Sequence, residues 1–158
     1  MAISQINAAS TGQTGTVMVS GNMPAFSAYP SVATSLPNST WVKLTCNIKE
    51  FDTNSAYDAT TNYRFQPTIA GYYQVSSAFS CSANTPIIVS IYKNGSEFKR
   101  GVQGGSTSLG QVVISTLIYL NGSTDYIESY GLQASGSTQT LSNAANQCYF
   151  QAAMIRTA

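Results

Sequence analysis

The chain has 158 residues, the size of one domain, and only 8% of them are charged, with a net charge of +1 against about 25% charged in ordinary proteins. Its surface must therefore be made largely of Ser, Thr, Asn, Gln and Gly. So weak a field excludes long-range recruitment of nucleic acid or of a charged membrane, and it removes the repulsion that opposes self-association.

Residues 1–24 are small and polar, with Gly12, Gly15 and Gly21, and read as an N-terminal arm or linker, with Thr16 to Val19 as a short strand at most. MAISQINAAS has neither the basic nor the apolar region of a secretory signal, and the longest apolar run, Val112 to Leu120, is too short to cross a bilayer. These features predict synthesis in a cytoplasm, with no membrane insertion. The domain proper spans 25–158. Ala25 to Tyr29 reads as a strand with Phe26 inward, and Asn38-Ser39-Thr40 as a turn. Trp41 to Phe51 alternates, with Val42, Leu44, Cys46 and Ile48 on one side, which predicts a half-buried strand.

In the next stretch, EFDTNSAYDATTNYRFQPTIAGYYQV (50–75), Asp52, Asn54 and Asp58 are turn formers whose side chains bond nearby backbone. Tyr63 to Phe65 reads as a short strand. Pro67 blocks its continuation, and Gly71 suits a positive-φ turn. From Gly71 a new strand places Tyr73, Val75 and Phe79 on one face. Asp52, Tyr57, Phe65, Gly71 and Tyr73 together resemble the signature of the C1q/tumour-necrosis-factor-like domain: an Asn or Asp, an aromatic, a Phe, then Gly-x-Tyr-x-Phe. The gap from Tyr57 to Phe65 is one residue longer than in that pattern, and Val75 replaces the last Phe. The wording looks closest to the C1q-like domains at the ends of bacteriophage fibre proteins, and the resemblance runs from about Phe26 to Arg156. It implies an all-β, two-sheet antiparallel jelly-roll sandwich and a homotrimer packed on one sheet. It also implies a virion protein made in the host cytoplasm. Relatives of this type sometimes hold calcium. Asp52, Asn54 and Asp58 are the candidate ligands, but the stretch lacks the Gly and distal Glu of an EF-hand loop, and turn capping explains the same residues.

No window shows a useful helical face, and short strands with regular turn signals follow to the C-terminus. Ile91-Tyr92-Lys93-Asn94-Gly95-Ser96 recurs as Ile118-Tyr119-Leu120-Asn121-Gly122-Ser123. Asn-Gly is a strong hairpin signal. The first copy predicts a hairpin joining Ile87–Tyr92 to Glu97–Val102, and the jelly-roll resemblance makes the second a crossing between sheets. Asn38, Asn94 and Asn121 also spell glycosylation motifs, which without a secretory signal read as turns.

Val112 to Leu120 is apolar on both alternating faces: Val113, Leu117 and Tyr119 on one, Val112, Ile114, Ile118 and Leu120 on the other. The last strand sets Cys148, Phe150, Ala152 and Met154 against Tyr149, Gln151, Ala153 and Ile155, and on 71–80 Tyr72 and Ala78 oppose Tyr73. A strand of a two-layer sandwich should have one wet face. These three strands are expected to share a sheet whose outer face is buried between subunits, through Tyr72, Gln74, Tyr149, Gln151 and Ile155. The competing reading covers that face with the N-terminal arm.

There is no histidine, which removes Ser-His-Asp and Cys-His chemistry. The carboxylates stand at no catalytic spacing, and neither a P-loop nor a dinucleotide fingerprint is present. Cys46, Cys81 and Cys148 lack metal-motif spacing and read as buried thiols. The expectation is a protein without enzymatic activity or cofactor. Tyr126, Glu128 and Tyr130 share a strand face and are candidate saccharide contacts, against a plain cross-strand pairing role. Gln103 to Gly110 and Ala134 to Gln147 look under-determined by packing. Gln103, Ser106, Ser137, Gln139 and Asn143 are their candidate receptor contacts. The leading reading is a trimeric fibre or receptor-binding module that attaches a virion to a bacterial surface, with a glycan as receptor and other virion proteins met through the arm. The alternative is a capsid decoration or head-fibre protein anchored by the same arm.

Overall fold

The computed structural model describes residues 23–82, 86–103 and 110–158. Thirteen strands and no helix occur among them. They are β1 (Ala25–Tyr29), β2 (Ser35–Leu36), β3 (Val42–Lys43), β4 (Ile48–Asp52), β5 (Tyr57–Asp58), β6 (Arg64–Phe65), β7 (Gly71–Cys81), β8 (Ile87–Lys93), β9 (Ser96–Gln103), β10 (Gly110–Leu120), β11 (Ile127–Gln133), β12 (Gln139–Thr140) and β13 (Tyr149–Thr157). The first sheet has the order β10-β7-β13-β1-β4; the second has β5-β6-β11-β8-β9, with β3 also on β11; β12 and β2 form a small ribbon. Every pairing is antiparallel.

The inner faces meet in one core. At its centre Phe26 stacks on Tyr57 at 4.5 Å and on Phe65 at 4.6 Å, and meets the edge of Phe150 at 5.1 Å. Phe65 meets Tyr73 edge-on at 5.6 Å. The signature positions Tyr57, Phe65 and Tyr73 are thus the aromatic rivet between the sheets, each pair adding about 0.5–1.5 kcal/mol beyond its buried area. Val75, in the place of the expected Phe, is fully buried.

Three local expectations need correction. Trp41 to Phe51 is not one strand. β3 lies in the second sheet and β4 in the first, and 44–47 crosses between them. Leu44 and Cys46 keep the predicted inward phase, but Ile48 is exposed, because the crossing and a register shift at Ser27/Ala28 reset the alternation. The crossing backbone is held by Leu44 N–H donating to the Ser129 carbonyl (2.8 Å) and by the Tyr57 hydroxyl donating to the Cys46 carbonyl (2.9 Å). Tyr63 has a positive φ of 50° and so stands just before β6 rather than in it. Gly71 is not among the positive-φ residues. It is glycine because a Cβ would strike the Arg156 carbonyl oxygen and approach Met154 Cε to 2.6 Å.

The hairpin at Asn94-Gly95 is as expected, with φ of 52° and 78°. Asn121-Gly122 carries the chain from β10 in the first sheet to β11 in the second. The registers also fix the two ends of the sandwich. Ala25, Gly71, Leu120 and Thr157 lie toward one end; Tyr29, Cys81, Gly110 and Tyr149 lie toward the other. The N-terminal segment therefore joins at the first end. Gly110, where β10 begins, and the 134–147 segment, tied by the Cys81–Leu141 bridge, lie at the opposite one.

Candidate functional site

The two sheets present chemically different outer faces. On the first, β10 buries Val112, Ile114, Ile118 and Leu120 and exposes Val113, Leu117 (54%) and Tyr119. β7 adds Tyr72, whose ring meets Tyr119 at 5.6 Å, and β13 adds Ile155 (51%). Phe51 of β4, half-exposed, lines a hollow of ≈ 250 Å³ with Phe26, Gln74, Ser76, Gln151 and Ala153. Between these apolar groups runs a polar stripe: Gln74 donates to Ser115 (2.6 Å), and Ser27 donates to Glu50 (2.6 Å). Tyr72, Gln74, Gln151 and Ile155 stand on this one face, with Tyr149 half-buried beside Ala78. Sequence reading did not single out Phe51. Its exposure follows from the crossing at 44–47, which has no local signal.

The second face gathers charge. Lys43, Arg64, Lys93, Lys99 and Arg100 all sit on strands of the second sheet, leaving only Lys49 and Arg156 for the first. Cross-strand register sets Glu128 beside Tyr92 and Tyr130 beside both Ser90 and Lys43. Tyr130 packs against Tyr92 at 4.2 Å with the rings tilted by 33°, Tyr92 meets Trp41 at 6.0 Å, and the Arg100 guanidinium lies 5.6 Å from the Trp41 ring. Lys43 Nζ stands 5.7 Å from the Tyr130 ring and bonds Glu128 at 2.5 Å. Burial works against the Lys43 charge, but Glu128 outweighs it and raises the ammonium pKa. Arg100 pairs with Glu97, whose carboxyl it holds below the usual range, and Ser90 donates to the same carboxylate at 2.9 Å. Of the predicted saccharide contacts, Glu128 and Tyr130 belong to this cluster, although Glu128 is nearly buried. Tyr126 precedes β11 and stacks instead under Arg64, at 4.4 Å.

The calcium candidates act as turn caps. Asp52 accepts from the amides of Ala56 (3.0 Å) and Tyr57 (3.2 Å) and from Lys49 (3.1 Å). Asp58 accepts from the amides of Thr61, Thr60 and Asn62. These bonds, Thr61 first, push its carboxyl well below the usual carboxylate range. Asn54 Oδ1 accepts from Thr53 at 2.8 Å. No group of three His, Cys, Asp or Glu forms a cation cradle among the described residues.

The second candidate loop is better held than its composition suggested. Gln133 is fully buried and donates to the carbonyls of Leu36 (3.0 Å) and Ser137 (2.8 Å). Gln139 donates to Ser135 and Ser137, Asn143 donates to the Ser31 carbonyl, and Leu141 is buried. Gln103 ends β9, and Ser106 lies outside the described residues. Cys46, Cys81 and Cys148 are all buried. Burial pushes the Cys46 thiol up to about 12 and the Cys148 thiol to about 11.

No family model and no curated relative matches the chain. Solved structures do. Murine APRIL superposes with a TM-score of 0.67 at 12% identity, over 84% of this chain and 99% of that one. Eiger TNF from S. frugiperda gives 0.65 at 8% identity, over 86% and 93%. The globular domain of zebrafish complement 1qA protein gives 0.60 at 15% identity, over 85% and 99%. Two antiparallel sheets, this strand order and these superpositions make the fold a jelly-roll sandwich of C1q/tumour-necrosis-factor-like type.

Proposed function

We propose that the protein is a non-enzymatic attachment module: three copies close around the outer face of the first sheet, and the assembly caps a bacteriophage fibre and holds it to a bacterial surface. The observation that carries this is the first face itself, where Tyr72, Val113, Leu117, Tyr119 and Ile155 stand exposed together. Exposed apolar side chains gathered on one face mark an interaction site, and each large side chain gains about 1.5–3 kcal/mol when fully covered. The fibre assignment is supported by the resemblance of the 50–75 stretch. The ends of the sandwich support it too, since the 134–147 loop lies opposite the end where the N-terminal segment joins. A module mounted by its arm would present that loop outward.

The test is native mass spectrometry on the purified chain, followed by adsorption to a panel of bacterial strains. A species of three subunits that adsorbs to cells is expected. A monomer at micromolar concentration rejects the assembly, and a trimer that adsorbs to no strain rejects the attachment role. The capsid-decoration alternative predicts immuno-label on heads rather than on fibres.

A further inference from the structure

We infer that the outer face of the second sheet is a binding platform for a neutral saccharide, built on Trp41, Tyr92 and Tyr130. The proposal rests on the attachment reading above and names the ligand class and the surface that would serve it. Lys43, Tyr130, Tyr92, Trp41 and Arg100 follow one another in contact across β3, β11, β8 and β9. The chain has a single tryptophan, and it lies half-buried on this face rather than in the core. Sugars are recognised by aromatic faces flanked by fixed hydrogen-bonding groups. Both are here: half-exposed rings, with Glu97 and Arg100 at one end and Lys43 at the other.

Charge selects the ligand. Lys43 is matched by Glu128, and Arg100 by Glu97. Within the ladder each cation therefore stands against a carboxylate, with the rings between the two pairs. A polyanion would find no uncompensated cation in the ladder, whereas a neutral polyol needs only the hydrogen-bonding ends and the rings. The paired groups are already fixed by one another, so little ordering is required on binding. The platform is on the opposite side of the sandwich from the proposed subunit contact. Three copies would carry three platforms outward, and linked sites strengthen weak individual binding.

The experiment prints neutral glycans, with heparin as the polyanion, and measures capture of the full-length protein. Trp41 fluorescence then follows titration with a captured neutral glycan. Capture of a neutral glycan with a change in Trp41 emission is expected. Trp41→Ala and Tyr92→Ala should each weaken it by about tenfold or more, as loss of an aromatic anchor does, while Trp41→Phe retains most of it. Arg100→Gln, on an exposed side chain, leaves the fold intact and should also weaken binding. Equal neutral-glycan binding by these variants overturns the proposal, as does capture of heparin alone or of no glycan. Cell adsorption separates the two readings: if Arg100→Gln and Trp41→Ala adsorb like the parent, attachment stands and the platform falls. If the parent adsorbs to nothing, attachment itself falls.

Discussion

Cys46 is completely buried, its thiol near Cys148, and Cys148 accepts the Ser80 amide at 3.3 Å. In the unfolded chain each thiol would titrate near about 8.5. Folding raises Cys46 to about 12 and Cys148 to about 11, through burial first. The native state thus keeps protons that the unfolded state releases, and stability must fall as pH rises past the unfolded value. The Tyr57 and Tyr73 phenols, also raised by burial, extend the loss to higher pH. A urea midpoint lower at about pH 10.5 than at about pH 8 is expected, with a smaller drop in Cys46→Ala. At neutral pH all three thiols should resist alkylation until the protein unfolds. Asp58 has the opposite sign. Its lowered carboxyl contributes stability above the ordinary carboxylate range, and that contribution disappears as acid protonates it.

At the scale of elements, the crossing at 44–47 is the junction to test. It transfers the chain between sheets, and its Cys46 carbonyl is answered by the Tyr57 hydroxyl. Tyr57→Phe keeps the stack on Phe26 and removes only that bond. It should cost about 1–3 kcal/mol, the penalty of an unmet buried acceptor, read as a lower urea midpoint with unchanged slope. The same junction shows what a sequence can and cannot disclose. β7, β10 and β13 were legible because alternation is local: Val112 and Val113 point opposite ways whatever lies beside them. The Asn94-Gly95 turn was legible because it demands two positive φ values. The break after Lys43 was not, since Leu44 and Cys46 keep the strand phase while the backbone leaves the sheet. Nor was the Trp41–Tyr92–Tyr130 ladder. Its rings come from three separate segments, and only the register of β8 against β11 brings two of them together. The loop at 134–147 misled in the other direction. Its composition looks under-determined by packing, yet its Ser, Gln and Asn bond one another and the 31–38 segment.

At the scale of the whole molecule, the two outer faces differ in what they leave uncovered. The second sheet pairs Lys43, Lys93 and Arg100 with carboxylates of the same chain. The first leaves Leu117, Val113 and Ile155 about half exposed, with a polar stripe between them that is already hydrogen-bonded. A closed ring of identical subunits joins two different patches at each contact. In the proposed trimer the Tyr72–Tyr119 cluster and the hollow beside Phe51 would be the two patches. Leu117→Glu places a carboxylate where the monomer leaves it in water but the assembly would strip it of water. The variant should fold, since the site is exposed in the single chain, and should sediment as the 16.7 kDa chain instead of a threefold species. Its melting temperature should also lose the concentration dependence that an assembling protein shows. Val102→Glu, on the exposed rim of the second sheet, should leave the assembly unchanged. If both variants behave alike, the first face is not the contact.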